Sequence, residues 1–381
     1  MRHAGVPYYS DLHSQDALVE QLNGFIARGR VPHALLFTGE DGGEAMPLAI
    51  AFSRHLLCTD PVEGGPCGKC LSCRQMDQLE HPDLYPIFPI IKEGAKESVS
   101  ADFMTDFREM VLSEKRFSEE SWRERQSAGN KQLQILVSEA EQILHHTSLK
   151  SFSSRYQVIL VWMPEKMRVE TANKLLKILE EPPQGVVFLF VSHEPDQLLS
   201  TITSRLQRVM VPSITEPDLI SYLTEEEGID RDLAKEIGHL AQGNLYRALR
   251  MIDDKEGKTT SLFGETLELL ALPISRDPQR MLAKSEELSQ LSRPEILALI
   301  EKSPEVLRET LALRYGGKEV VYIPAKYMSQ AESVSKMLSP ERYPTILDDL
   351  QKAKLELRQN ANVKLVFFDL FLNLAKHYAR S

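Results

Sequence analysis

Three strand-length apolar runs constrain the fold of this chain more than any other feature. They cover residues 34–37, 156–162 and 186–191. Apart from Gln157, each run is continuously apolar rather than alternating, a pattern typical of strands in a parallel sheet that helices cover on both faces. Segments with helical apolar spacing separate the runs, at 15–28, 45–57, 135–144 and 169–181. This alternation predicts an α/β domain.

The pattern changes after Thr215, where only helical spacing remains. The predicted helices there include 217–227, 231–240, 245–252 and a strongly apolar final helix at 363–378. A chain of 381 residues is too long for one ordinary domain. We therefore predict an α/β domain over residues 1–213, a small helical domain over 214–255 and a larger helical domain over 256–381.

All four cysteines of the chain fall in one short segment, as Cys58-x8-Cys67-x2-Cys70-x2-Cys73. The two C-x2-C steps form turns that direct sulfur atoms at one ion, and four thiolates suit tetrahedral Zn²⁺. Four incidental buried cysteines and an iron–sulfur cluster are the alternatives. No general base stands nearby, so the segment predicts a structural zinc module over 58–73. His55 and His81 flank it and are expected at the surface or at helix ends.

A degenerate phosphate-binding loop follows the first strand. The functional pattern G-x-x-x-x-G-K-[ST] uses its lysine to hold phosphates and its hydroxyl to hold Mg²⁺. Here Gly39 fits the pattern, but Glu44, Ala45 and Met46 occupy the glycine, lysine and hydroxyl positions. A glutamate at that place repels phosphate oxygens, so the sequence predicts no ATP bound by this chain.

The second half of an ATP site is missing as well. Acidic residues that hold Mg²⁺ would follow the strand at 156–162, yet Trp162 and Met163 stand there and the next acid is Glu165. Loss of both halves argues against ATP hydrolysis. The alternative is an ordinary α/β fold that never bound ATP.

Several segments together resemble the bacterial clamp-loader subunits of the AAA+ family, which act with DNA polymerase III. The most specific is Thr-Ala-Asn-Lys-Leu-Leu-Lys-Ile-Leu-Glu-Glu-Pro-Pro at 171–183. The segment at 198–207 is similar to the family's Ser-Arg-Cys segment, with Ser204 and Arg205 kept and Leu206 in place of cysteine. Residues 29–39 and 188–192 resemble the strands of the family, and 243–249 its sensor-2 helix, which includes Arg247. The specific motifs lie within residues 10–255.

The resemblance implies an architecture and a role. The α/β part would be an AAA+ domain with the zinc module and an insertion at about 83–130, residues 214–255 a lid, and residues 256–381 a collar for oligomerisation. The missing ATP motifs imply a non-hydrolysing stator subunit, without ATPase activity alone. Arg205 would then be an arginine finger offered in trans to a neighbour's ATP, supported by Ser204.

The implied partners are a gamma/tau-like ATPase subunit, a delta-like subunit, the sliding clamp and primer–template DNA. An ATP-hydrolysing gamma/tau-like subunit with an atypical phosphate loop is the alternative within the family. A zinc-knuckle nucleic-acid-binding protein is the alternative outside it, although acidic residues flank the cysteines.

Composition limits the remaining possibilities. Lys and Arg total 45 against 55 Asp and Glu, a net charge of −10, which argues against a freestanding nucleic-acid binder. The start lacks an apolar signal core and no apolar run could span a bilayer, so we expect a cytoplasmic protein without membrane contact. The charged segment at 83–130 predicts a solvated excursion.

Overall fold

The computed structural model describes residues 5–91, 98–128, 131–148, 151–253, 258–317, 321, 323 and 327–378. The chain divides into two compact units, Met1–Leu249 and Arg250–Ser381. The predicted boundary between residues 255 and 256 lies outside the described residues, as do parts of the predicted insertion (92–97 and 129–130).

A five-stranded parallel sheet forms the centre of the first unit, in the order β2-β5-β6-β1-β7. Its strands are β1 (Ala34–Thr38), β2 (Leu84–Ile87), β5 (Gln157–Trp162), β6 (Val186–Ser192) and β7 (Gln207–Met210). The three predicted strands are its inner members. A separate antiparallel ribbon joins β3 (Ile90–Ile91) and β4 (Leu133–Gln134).

The two edge strands, β2 and β7, were not predicted, because neither forms a continuous apolar run. In β7 only Val209 is buried. In β2, Pro86 removes a backbone donor, which an edge strand tolerates because one side of it makes no ladder.

Helices cover both faces of the sheet. The helices that precede or separate the strands are α1 (Asp16–Ala27), α2 (Ala45–Leu57), α3 (Leu71–Asp77), α4 (Met104–Ser113), α5 (Glu119–Arg125), α6 (Val137–Ser148), α7 (Val169–Glu180) and α8 (Ser200–Thr203). Three more helices follow the last strand: α9 (Glu216–Glu225), α10 (Arg231–Ala241) and α11 (Leu245–Asp253). Leu35 and Phe37 of β1 pack in one apolar cluster with α2, whereas Leu36 packs in another with α6 and α7. The parallel sheet buried on both faces is therefore confirmed.

The expectation of a solvated excursion at 83–130 is wrong. Phe107 of α4 and Trp122 of α5 are fully buried in the same cluster as Phe37. The Trp122 indole donates a hydrogen bond to the Pro89 carbonyl at 2.7 Å. The charges of α4 and α5 lie on the outer faces of these short amphipathic helices, so the net polarity of the segment concealed an apolar side that joins the core.

The second unit is helical. It contains α12 (Lys258–Ala271), α13 (Pro278–Leu288), α14 (Arg293–Gly316), α15 (Met328–Met337), α16 (Tyr343–Arg358) and α17 (Val363–His377). Its single core accounts for the strongly apolar final helix, since Phe367, Phe371 and Leu374 of α17 are buried within the unit itself. Across the described ranges, no helix combines the length and the hydropathy needed to cross a bilayer.

Candidate functional site

The four cysteines converge at the end of α2 and the start of α3. Cys58 follows α2, Cys70 caps the N-terminus of α3 and Cys73 lies in its first turn. Their four sulfur atoms all lie within 4.8 Å of one another, with Cys58–Cys67 at 3.7 Å and Cys67–Cys73 at 4.0 Å. Four thiolates bound about 2.3 Å from one Zn²⁺ would be about 3.8 Å apart in a tetrahedron. The arrangement can hold a metal ion of this kind.

Backbone hydrogen bonds support the sulfur cluster. The N–H of Cys67 donates to the Cys58 sulfur at 3.4 Å, that of Cys70 to the Cys67 sulfur at 3.3 Å, and that of Cys73 to the Cys70 sulfur at 3.4 Å. N–H groups aimed at sulfur stabilise thiolates, which are the form that binds metal.

A buried arginine fixes the cysteine module to the rest of the unit. The Arg54 side chain is fully buried and donates to the Cys73 carbonyl at 3.1 Å and to the Asp77 carboxylate at 2.6 Å. The Tyr8 ring covers its guanidinium at 3.7 Å, and the Tyr8 hydroxyl donates to Asp77 at 2.7 Å. The module is therefore held rigidly against α2.

The two flanking histidines are not surface residues. His55 lies in the last turn of α2, as expected, but it is buried, with Nδ1 3.0 Å from the Asn23 amide oxygen. His81 is buried too, and its Nδ1 accepts the N–H of Asp83 at 3.0 Å. Burial lowers the pKa of His55 to about 4 and also lowers the pKa of His81. Neutral imidazoles with these partners serve the packing.

The degenerate phosphate loop lies where the carboxyl ends of parallel strands meet. Thr38 and Ser192 are paired in register at the ends of β1 and β6, and the Gly39 N–H donates to the Ser192 carbonyl at 3.3 Å. Residues that follow neighbouring strands therefore meet here, as in other α/β sites. Ala45 and Met46, at the lysine and hydroxyl positions, are buried in the apolar core.

Glu44 is buried at the N-terminus of α2 and paired with an arginine from the 83–130 segment. Its carboxylate accepts from Nε of Arg116 at 2.6 Å and from the guanidinium NH2 at 2.9 Å. The two side chains are 1% and 5% exposed. A third Arg116 hydrogen bond goes from NH2 to the Asp11 carbonyl at 2.7 Å. An internal carboxylate thus stands at the positive end of the helix, where a bound phosphate would stand in a working loop.

The tip of the same loop is covered by α11. Gly42 has a φ of +74°, and a Cβ on it would lie 2.8 Å from the Tyr246 ring. Asn244 donates to the Asp41 carbonyl at 2.8 Å. Ser118 donates to the Tyr246 hydroxyl at 3.2 Å and joins the 83–130 segment to this cover. The loop is closed by groups of the chain itself.

A charged network centred on His193 completes this edge. His193 follows β6 and lies 3.5 Å from both Glu119 and Glu165, while Lys166 lies 3.0 Å from Glu119. Burial alone would lower the pKa of His193, but Glu119, Asp41 and Glu165 outweigh it and raise that pKa to about 9. Burial raises the pKa of Asp41 to about 6. Glu165, the first acidic residue after β5, is therefore part of an internal ion pair with His193.

Trp162 and Met163 occupy the positions of the missing acidic pair. Trp162 is 3% exposed and packs edge-on against Phe117 with ring centroids 5.0 Å apart. Met163 is fully buried. The apolar core fills the place where Mg²⁺ ligands would be needed.

Arg205 lies on a different part of the unit, just after α8. Its NH1 donates to the Thr201 carbonyl at 2.6 Å and to the Ser204 hydroxyl at 3.2 Å. Its Nε donates to Glu180 at 3.0 Å. The side chain is 30% exposed. Arg247, in contrast, contacts the end of the preceding helix, with NH1 3.5 Å from the Ala241 carbonyl.

The sequence reasoning did not find Arg116, Tyr246, His193 or Glu180. His193 carried a usable signal, because it lies two residues after the predicted strand at 186–191, at the end of a strand of a parallel sheet where functional groups collect. Arg116 carried none, since 72 residues separate it from Glu44.

Fold and site together define an α/β domain with a parallel sheet, whose degenerate phosphate loop is filled by its own side chains. A family model described as "DNA polymerase III, delta subunit" matches residues 14–215, just over half of the chain. The chain belongs to this family, and the predicted role as a clamp-loader subunit of the delta-prime kind is confirmed.

Known relatives agree with the family. The chain is 25% identical to DNA polymerase III subunit delta′ of Escherichia coli over 364 residues, 94% of this chain and 93% of that protein. It is 31% identical to the delta′ subunit of Pseudomonas aeruginosa over 198 residues, 52% of this chain and 48% of that protein. DNA polymerase III subunit tau/gamma of Haemophilus influenzae is 25% identical over 64% of this chain and 30% of that protein.

Proposed function

We propose that this chain is a non-hydrolysing stator subunit of the clamp loader, which binds no ATP itself and supplies Arg205 to the ATP of a neighbouring ATPase subunit. The partners in this proposal are a gamma/tau-like ATPase, a delta-like subunit and, through the complex, the sliding clamp and primer–template DNA. Residues 214–255 would act as the lid and residues 256–381 as the oligomerisation collar.

One observation carries the proposal: the buried ion pair between Glu44 and Arg116 at the start of α2. A nucleotide phosphate placed there would meet a carboxylate that is 1% exposed. Displacing that carboxylate would leave Arg116 or Glu44 without its partner in a low-dielectric site, which is strongly unfavourable. The buried Trp162 and Met163 support the same conclusion, because neither can hold Mg²⁺.

Arg205 has the properties that an arginine finger needs. Its guanidinium is partly exposed, so a neighbouring subunit can reach it, and NH1 is fixed by Thr201 and Ser204. Arginine fingers stabilise charge on the transferring phosphoryl group and contribute about 10³–10⁵ in rate in other NTPases. Ser204 would have a supporting role through its hydroxyl.

The test is reconstitution of the clamp loader with the ATPase subunits, clamp and primed DNA. We expect Arg205→Ala to leave assembly intact and to lower the DNA-stimulated ATPase rate and clamp loading. Arg231→Ala is the matched control, because Arg231 is also an exposed arginine of the first unit. Clamp loading at the wild-type rate by the Arg205→Ala complex would refute the finger.

We also propose that the four cysteines hold one Zn²⁺ with a structural role. The sulfur separations support tetrahedral coordination. Bound zinc would join the end of α2 to the start of α3, and Arg54 would transmit that order to the N-terminal segment at Tyr8.

Two alternatives can be distinguished from the stator proposal, the first by a binding measurement and the second by the residues around the cysteines. A gamma/tau-like ATPase with an atypical loop requires ATP binding by the isolated chain, and we expect none. A zinc-knuckle nucleic-acid binder requires basic and aromatic residues around the knuckle. Instead the cysteines are flanked by Asp60, Glu63, Asp77 and Glu80. Tight ATP binding by the isolated chain would overturn the stator proposal.

A further inference from the structure

The Glu-Glu-Pro-Pro sequence at the end of α7 has no role in the proposal so far. Glu180 is the last residue of the helix and Glu181 is its C-cap. Pro182 and Pro183 explain why the helix stops here, since proline cannot continue it. They do not explain two consecutive carboxylates at a helix C-terminus, where the helix dipole disfavours negative charge.

Glu180 binds the candidate arginine finger. Its Oε1 accepts from Nε of Arg205 at 3.0 Å and also accepts from NH2 of the same guanidinium. The opposite side of the guanidinium, NH1, donates to Thr201 and Ser204 of the α8 segment. The arginine is thus held from two sides, by backbone and hydroxyl oxygens on one and by a carboxylate on the other.

The two edges of the Arg205 guanidinium differ in whether they could bind a phosphate. The Nε and NH2 edge is a fork that matches two oxygens of a carboxylate or a phosphate. Glu180 occupies that edge, so the same edge can bind a phosphate only after Glu180 has left it. The NH1 contacts with Thr201 and Ser204 do not use this edge and can persist during the exchange.

We infer that Glu180 is a positioning residue that holds Arg205 in the free subunit and yields it to the phosphates of the neighbour's ATP. This inference rests on the proposed function of Arg205. Glu180 is therefore a competitor of the nucleotide for one guanidinium edge.

Exposure makes the exchange feasible. The Glu180 side chain is 51% exposed and the Arg205 side chain 30%. Exposed ion pairs of this kind contribute little, so breaking this one should change an equilibrium by about fivefold at most. Separating a buried pair such as Glu44–Arg116 is far more costly, so that pair is unsuited to such an exchange.

The test uses the reconstituted clamp loader and ATP titrations of its DNA-stimulated ATPase. At each ATP concentration, the ATPase rate of the Arg205→Ala complex is subtracted from the rate of the complex that keeps Arg205. The difference reports the ATP site of the neighbouring subunit that Arg205 serves. We expect Glu180→Gln to lower the ATP concentration at half-maximal rate by about two- to fivefold, with the maximal rate unchanged. Glu180→Ala should do the same, and equal melting temperatures would show that both variants fold.

Glu181→Gln is the matched control, because Glu181 is the adjacent exposed carboxylate and the Arg205 hydrogen bonds go to Glu180. It should leave the ATP dependence unchanged. In the Arg205→Ala background, Glu180→Gln should have no effect, since the competitor then has nothing to hold.

The outcomes separate this inference from the proposed function. If Arg205→Ala does not slow the ATPase, the finger itself is refuted. If Arg205→Ala slows it but Glu180→Gln leaves half-saturation unchanged or lowers the maximal rate, the finger stands and the competitor role of Glu180 is overturned.

Discussion

Removing Arg116 should destabilise the first unit strongly, although Arg116 lies in a segment that composition alone assigns to the surface. Arg116→Ala leaves the Glu44 carboxylate, 1% exposed, without its ion-pair partner. Removing one partner of a buried pair costs about 3–5 kcal/mol. Loss of the hydrogen bond to the Asp11 carbonyl adds to this cost.

Tryptophan fluorescence during urea unfolding can report this unit selectively. The chain has two tryptophans, Trp122 and Trp162, and both are buried in the core of the first unit. Trp162 also contacts Phe117, the residue next to Arg116. The transition seen by fluorescence is therefore that of the unit under test, which avoids treating a two-unit chain as two-state.

Two control variants test whether the loss of stability in Arg116→Ala comes from the burial of the ion pair. Arg125→Ala, in the same segment, removes a solvent-exposed pair with Glu109 at 4.0 Å and should cost less than about 1 kcal/mol. Glu44→Met combined with Arg116→Met removes both charges and should be far less damaging than Arg116→Ala alone. A loss below about 1 kcal/mol for Arg116→Ala, or a double variant as unstable as the sum of its single substitutions, would refute the reasoning.

Two further predictions follow from the same unit. Purified protein should contain about one zinc ion per chain, and Cys67→Ser should lower that content and the melting temperature; a metal-free protein with unchanged stability would contradict the zinc module. Since the pKa of His193 is raised to about 9, its stabilising contribution is complete below about pH 6.5 and is lost as the pH rises through 9, about 3 kcal/mol at most. Urea unfolding of zinc-loaded protein between pH 6.5 and 9 measures this slope, and His193→Asn should flatten it; an equal slope in both proteins would show that other groups titrate.

The local sequence predicted the features that depend on residues close together in the chain, namely helices, strands and the cysteine cluster. The helix expected at 45–57 has those same bounds in α2, and the final helix ends at His377, one residue before its predicted end. Helical periodicity and continuous apolar runs are properties of a few consecutive residues, so they survive without knowledge of the fold. The spacing of Cys58, Cys67, Cys70 and Cys73 likewise predicted their convergence.

The family-specific motifs added the role of the chain, because they mark short segments that carry the chemistry. The degenerate loop after β1 and the missing acids after β5 are visible as residue identities alone. These identities predict a chain without the residues that hold phosphate and Mg²⁺. The clamp-loader motifs predict its role as a subunit of the clamp loader.

Only the tertiary structure decided which distant groups meet. The charge count placed 83–130 in solvent, but folding buries its apolar side and brings Arg116 onto Glu44 across 72 residues. Likewise, Glu180 reaches Arg205 only because α7 and the α8 segment lie side by side. A sequence fixes periodicity and residue chemistry over a few turns, whereas the burial of a charge and the partner it meets depend on how those elements pack.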